Sequence, residues 1–273
     1  MLRSLKDIQN YTIAATDGEV GEVKDFYFDD NAWVVRYFVV EAGSWLSSKQ
    51  VLISPIAVRH PDWSARRLPV ALTQDQVRRS PDIDTQKPVS RQHEAQMLEY
   101  YGYANYWGGG GMWGEGLYPY AMVPGYAYAG AEQEDRERQA EADLRLQRMH
   151  QRGDDPHLRS CQAVTGYQVR ATDGEVGAVT GFLVDDETWA VRYLVIDTGH
   201  WWAGHKVLVS PLWIEGVHWS DRAVAVELSR EALKSAPAYD AGVAWTLEQD
   251  RQLFLHYARA GGPVGGLTPA PGR

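Results

Sequence analysis

The sequence predicts a mainly β chain with helical additions, an α+β protein made of one module repeated in tandem. Three observations predict it. The phrase Ala15-Thr16-Asp17-Gly18-Glu19-Val20-Gly21 returns unchanged at Ala171–Gly177. From there an offset of 156 holds without a gap to Ser54-Pro55 and Ser210-Pro211, with 22 identities in 41 positions. Within each copy, short β-branched and aromatic runs alternate with turn residues and no helix intervenes, the pattern of a small antiparallel barrel. Two copies are too few for a solenoid, which needs about three repeats. Each copy, at about 100 residues, is long enough to bury its own core. The expected boundaries are a first module over 1–103, a connector over 104–159, a second module over 160–259 and a flexible tail over 260–273.

The elements follow in order. Tyr11-Thr12-Ile13 and Val20–Val23 flank Asp17-Gly18, a preferred pair for a tight hairpin because Gly takes positive φ without a steric cost. Gly21 interrupts the second strand, where glycine marks a bulge or bend. Asp173, Gly174 and Gly177 repeat the arrangement. Asp29-Asp30 and Asp185-Asp186 are adjacent carboxylates and read as turn chemistry, since neighbours on a strand point to opposite faces. Trp33–Val40 and Trp189–Ile196 are apolar on both faces and suit a central strand. Val51–Ile53 and Val207–Val209 supply another strand, and Arg66–Val70 and Ala223–Val226 one more. Closing these strands into a barrel removes the exposed edges. Thr73-Gln74-Asp75-Gln76 is a capping-box pattern before a short helix ending near Ser80-Pro81, and Ser229 opens its counterpart. Longer helices are expected over Arg91–Tyr101 and Leu247–Arg259, the second packing through Leu247, Phe254, Leu255 and Ala258.

Between the copies the composition changes twice. Residues 106–128 mix Tyr106, Trp107, Trp113 and further tyrosines with glycine and proline, which argues against a regular element. Two readings stand: a poorly ordered linker, or a sticky segment that docks on a barrel or a partner through its rings. Ala131–Arg152 reads as one charged helix, a solvated spacer or partner surface, ended by Gly153 and Pro156.

Composition excludes more than it identifies. Net charge is −9, and none of the three segments is basic, so DNA binding is excluded and RNA or ribosome binding disfavoured. No apolar run approaches the roughly 18 residues of a membrane helix, and the first residues lack a signal-peptide core. The expected location is cytoplasmic, with peripheral association to a membrane complex left open. Cys161 is the only cysteine and reads as a small filler residue. No metalloprotease, Walker-loop or nucleophile-elbow motif occurs. His200 and His205 flank Trp201-Trp202 without further ligands. No catalytic, cofactor or metal residue is expected, and the chain is expected not to be an enzyme.

The pattern Asp17-Gly18…Gly21…Val23, Asp29-Asp30, Trp33–Val40, Val51–Pro55, repeated at Asp173–Val179, Asp185-Asp186, Trp189–Ile196 and Val207–Pro211, resembles the PRC-barrel family. The resemblance implies two tandem six-stranded barrels joined by the aromatic connector and charged helix. Known members include the cytoplasmic domain of the photosynthetic reaction-centre H subunit and the C-terminal domain of a ribosome-maturation factor. Neither domain is a catalyst; they shape an assembly or bind a protein. The chain looks most like the stand-alone, duplicated bacterial members. The expected function is a non-catalytic protein-interaction or assembly module. The alternatives are an RNA- or ribosome-associated factor and an accessory of a photosynthetic or other membrane electron-transport complex. The two barrels are expected to pair within the chain, imitating a homodimer. The candidate interaction residues are Trp45, Trp201, Trp202, Tyr106, Trp107, Trp113, Arg36 and Arg192. Trp45, Trp201 and Trp202, in the loop before the Val-Leu strand, either bind something or cover a barrel end. Arg36 is expected to pair with Asp25 or Glu41, or to meet an anionic group of a partner.

Overall fold

Turn chemistry spaces the strands. The computed structural model describes residues 1–43, 49–81, 89, 91–107, 111–114, 116–122, 158–199 and 205–262. Trp45, His200, Trp201, Trp202, the expected charged helix and residues 263–273 lie outside the described residues. The chain divides into two compact units. Unit 1 contains residues 1, 3–162 and 185–190; unit 2 contains residues 2, 163–184 and 191–273.

In unit 1, β2 (Thr12–Ala15) turns at Asp17 into β3 (Gly18–Asp29), and β3 turns into β4 (Val34–Ala42). The second turn is built by Asp29, whose carboxylate accepts the Asn31 and Ala32 N–H groups at 3.0 Å each. Its carbonyl accepts the Trp33 N–H at 2.7 Å, and Trp33 takes a φ of +53°. Next come β5 (Lys49–Ile53), a single 3₁₀ turn over Pro55–Ala57, and β6 (Arg67–Pro69). The sheet order is β5-β4-β3-β2-β6.

Two expectations are corrected here. The sheet is not purely antiparallel: β6 pairs with β2 in parallel, Ile13 opposite Leu68. A crossover of more than a dozen residues after β5 gives the chain the reach a parallel return needs. The sheet is also not closed among the described residues, since β5 and β6 end the path. The sheet instead gains β7 (Leu158–Ser160), which pairs antiparallel with β3, Tyr27 opposite Ser160.

Gly21 is demanded by approach as well as conformation. At a φ of +158°, a Cβ there would stand 1.9 Å from the Glu41 carbonyl oxygen of β4; at Gly177 it would stand 2.0 Å from that of Asp197. One core cluster of unit 1 gathers Tyr27, Tyr37, Val39, Leu52, Val89, Met97 and Leu158. Each such buried side chain contributes roughly 1.5–3 kcal/mol.

Unit 2 repeats the plan with β8 (Gln168–Ala171), β9 (Gly174–Asp185), β10 (Val191–Asp197), β11 (Lys206–Val209), β12 (Ile214–His218) and β13 (Ala223–Val226). Its sheet runs β11-β10-β9-β8-β13-β12, with β1 (Leu2–Ser4) beside β9. The Leu-Arg-Ser strand of each sequence copy thus completes the sheet built by the other. The sequence holds the signal: Leu2-Arg3-Ser4 and Leu158-Arg159-Ser160 are identical at the offset of 156. In the first copy the stretch matching β12 forms only isolated bridges at Val58 and Asp62. Pro61 and Pro69 replace Val217 and Ala225 there, and proline cannot donate to a ladder.

Three of the helices are opened by side-chain caps, at Thr73, Ser229 and Thr246. α1 (Leu5–Ile8) follows β1, and α2 (Gln74–Arg79) carries the capping box between Thr73 and Gln76. α3 (Arg91–Tyr101), α4 (Cys161–Val164), α5 (Arg230–Lys234) and α6 (Leu247–Arg259) follow. The expected packing face of α6 needs correction. Leu253 and Tyr257 are its buried residues, whereas Leu247 is 82% and Leu255 44% exposed. Phe254 packs on Trp213 with ring centroids 4.7 Å apart. Tyr257 donates its hydroxyl to the Leu208 carbonyl at 3.0 Å, which rotates the apolar stripe toward β11. No helix among the described residues is long and apolar enough to cross a membrane.

Candidate interaction site

Asp17 does more than turn the chain. Its carboxylate accepts the Gln74 N–H, the first of α2, at 2.7 Å. In the second copy Asp173 accepts the Arg230 N–H of α5 at the same 2.7 Å. That bond, ahead of all other influences, holds the Asp173 carboxyl below the usual range. The repeated heptapeptide is therefore a hairpin turn and a helix cap in one. Gly18 and Gly174, at φ +149° and +131°, let the chain pass the cap.

The interaction site grows from the strand motif Trp-x-Val-Arg-Tyr. Tyr37 stands opposite Tyr27 and Val35 opposite Phe28, so Arg36 is an unpaired extra residue in β4. A bulge of this kind re-aims its side chain out of the strand's alternation. Arg36 is only 3% exposed, and its nearest carboxylate is Asp29, at 3.6 Å, rather than Asp25 or Glu41. It donates to the Met112 carbonyl. Its guanidinium carbon lies 3.9 Å from the Tyr106 ring centre and 4.7 Å from that of Trp113. Stacking of a desolvated cation on two rings is worth on the order of 2 kcal/mol or more.

The rings come from the connector. Tyr106 donates its hydroxyl to Glu94 of α3. Trp113 is fully buried and donates its indole N–H to the Thr188 carbonyl at 2.9 Å, within unit 1. A main-chain bond holds the two together: Gly114 N–H donates to the Tyr106 carbonyl at 3.0 Å, and Gly114 takes a φ of +61°. Trp107 packs edge-on against Tyr106 at 5.0 Å. Of the two readings of the connector, its described part is a docked segment. Arg36, Tyr106 and Trp113 face inward, so in this arrangement they offer no surface to an outside partner.

Arg192 occupies the same bulge in β10, where Tyr193 stands opposite Leu183 and Val191 opposite Val184. It is half-buried. Tyr193 donates its hydroxyl to Asp250 of α6, and Trp245 donates its indole N–H to the same carboxylate oxygen at 3.2 Å. Burial, then the bond to Asp250, pushes the Tyr193 hydroxyl far above its ordinary value, and the charge of Arg192 opposes that rise.

Several long-range contacts leave no local pattern in the sequence. Buried Asp25 accepts the Ser160 hydroxyl and, at 3.0 Å, the Gln162 N–H, so it caps α4 from 137 positions away. Burial raises its carboxyl above the ordinary range despite those bonds. Cys161 beside it is buried, and burial followed by the Asp25 charge pushes its thiol well up, the state of an unreactive filler. Arg159 pairs with Asp30 at 3.3 Å, and Arg3 with Asp186 at 2.8 Å. These are one interaction repeated at the same offset. No group of three or more His, Cys, Asp or Glu suited to a metal ion gathers among the described residues.

The strand–turn–strand pattern carrying Asp17, Asp29 and Arg36 lies in a stretch with a known likeness. Residues 2–66 match the PRC-barrel domain. The PRC-barrel domain is a general protein-interaction and assembly module. The match lies within the first copy; the likeness of the second rests on the sequence repeat and on the equivalence of its strands. No curated protein matches the chain.

Proposed function

We propose that this chain is a tandem PRC-barrel protein that acts by binding a protein partner within an assembly and catalyses no reaction. Both sheets are read as PRC-type barrels. The docked connector carries the proposal. The first module already recognises a stretch of polypeptide, by stacking two rings on Arg36, donating to a main-chain carbonyl and accepting a tyrosine hydroxyl at Glu94. These are the contacts of peptide recognition, enriched in aromatic residues and arginine. The acidic balance of −9 weighs against RNA as the partner.

The test is affinity capture of the full chain from its native cell at endogenous expression. A stoichiometric protein partner is expected. An eluate dominated by RNA would favour a ribosome-associated role. A monodisperse chain with nothing above background would remove the proposal.

A further inference from the structure

In unit 1, Tyr106 is a bridge. Its ring lies under Arg36 and its hydroxyl reaches Glu94. Unit 2 repeats both abutments at the offset of 156, with Arg192 for Arg36 and Asp250 for Glu94. The sequence does not repeat the bridging side chains: the positions matching Tyr106, Trp107 and Trp113 are Gly262, Pro263 and Pro269. Arg192 makes no hydrogen bond, ion pair or ring contact among the described residues. Asp250 receives Tyr193 and Trp245 at its Oδ1; its Oδ2 accepts no hydrogen bond among the described residues. Both charges act on Tyr193, and half-buried Trp245, bonded to Asp250, sits in sequence between Val243 and Leu247, which are 56% and 82% exposed. A half-buried guanidinium, a carboxylate with accepting capacity left and a rim of exposed apolar side chains are the features of a protein-docking patch.

We propose that this face of unit 2, centred on Arg192 and Asp250 and rimmed by Val243 and Leu247, docks an aromatic, glycine-flanked segment of a partner protein. One ring stacks on Arg192, and its hydroxyl or indole N–H donates to Asp250 Oδ2. The chemistry is that of the first copy, where the chain's own connector shows which kind of segment the bulged arginine accepts. The proposal rests on the protein-interaction reading above and names the surface and ligand class for it.

The probe is a fluorescent peptide with the sequence of residues 103–122, titrated against the full chain by anisotropy. Saturable binding is expected, weakened at least tenfold by Arg192→Gln and by Leu247→Glu. Leu247 is exposed at the first position of α6, where an acidic residue suits the helix dipole, so this variant keeps the fold. A peptide with alanine at its Tyr106, Trp107 and Trp113 positions should not bind. Absence of saturable binding, or binding that both variants leave within twofold, overturns the site. Self-association in sedimentation that Leu247→Glu abolishes would assign the face to a second copy of this chain and overturn the partner assignment. Capture from cells separates this inference from the broader one. A partner retained by both variants overturns the site and leaves the interaction reading standing, whereas no partner for any form removes the interaction reading while the titration still decides the site.

Discussion

Arg36 and Arg192 are one residue of one module, lifted from their strands by the same bulge, yet their surroundings differ. Arg36 is 3% exposed beneath Tyr106 and Trp113 and faces Asp29. Arg192 is half-buried and has no ring over it among the described residues. The module decides where the guanidinium stands, and the chain leaving the module decides what covers it. A second contrast has the same origin. Asp25 of the first copy caps α4, but the matching position in the second copy is Gly181, so the repeated strand frame carries different polar duties.

The largest expected effect tests whether the frames are equivalent at all. Gly21→Ala and Gly177→Ala place a methyl group 1.9 Å and 2.0 Å from a neighbouring strand's carbonyl oxygen. Each should cost more than about 4 kcal/mol in urea unfolding, in the range reserved for severe backbone or core defects. A wild-type curve for either variant breaks the equivalence.

Next comes the arginine pair. Arg36→Met removes one partner of a buried ion pair together with its stacking and should cost about 3 kcal/mol. Arg192→Met should stay within about 0.5 kcal/mol, as for an ordinary surface change. Equal losses would mean that the connector does not distinguish the two sites.

A smaller effect concerns Asp25. Its carboxyl is raised by burial from an ordinary value of 3.8. The folded chain therefore holds that proton more tightly than the unfolded chain does. The stability this supplies is complete below the ordinary value and is lost as pH rises through the raised one. Asp25→Asn should flatten that part of the stability–pH curve, while Gly181→Ala leaves its shape unchanged. An unaltered curve in Asp25→Asn would show that the carboxyl titrates alike in both states. The smallest effect is expected at the helix caps: Asp17→Ala and Asp173→Ala should each lower Tm slightly and by similar amounts, since both remove a 2.7 Å bond to the first N–H of a helix. A loss confined to one copy would separate them.

These contrasts also mark what could be read in advance. The hairpin at Asp17-Gly18, the Asp29 turn, both capping boxes and the bounds of α3 and α6 follow from residues within about four positions of one another. The parallel return of β6 was missed because strand direction depends on where a long crossover lands. The stripe on α6 was misjudged because Tyr257 is drawn inward by a carbonyl on β11. Of the candidate site, Arg36, Tyr106 and Trp113 each stand out in the sequence, but nothing local joins Arg36 to Met112, 76 positions away.

By itself the sequence determined the duplication, the mainly β character, the turns and the caps, because each depends on short-range sterics or on identity at a constant offset. Only the tertiary structure decided which strand completes which sheet, that bulges lift the two arginines, and that the connector covers one of them. Those outcomes join residues more than 180 positions apart, as in Arg3 with Asp186. At such separations the choice among many chemically similar partners is made by packing and desolvation rather than by any pattern along the chain.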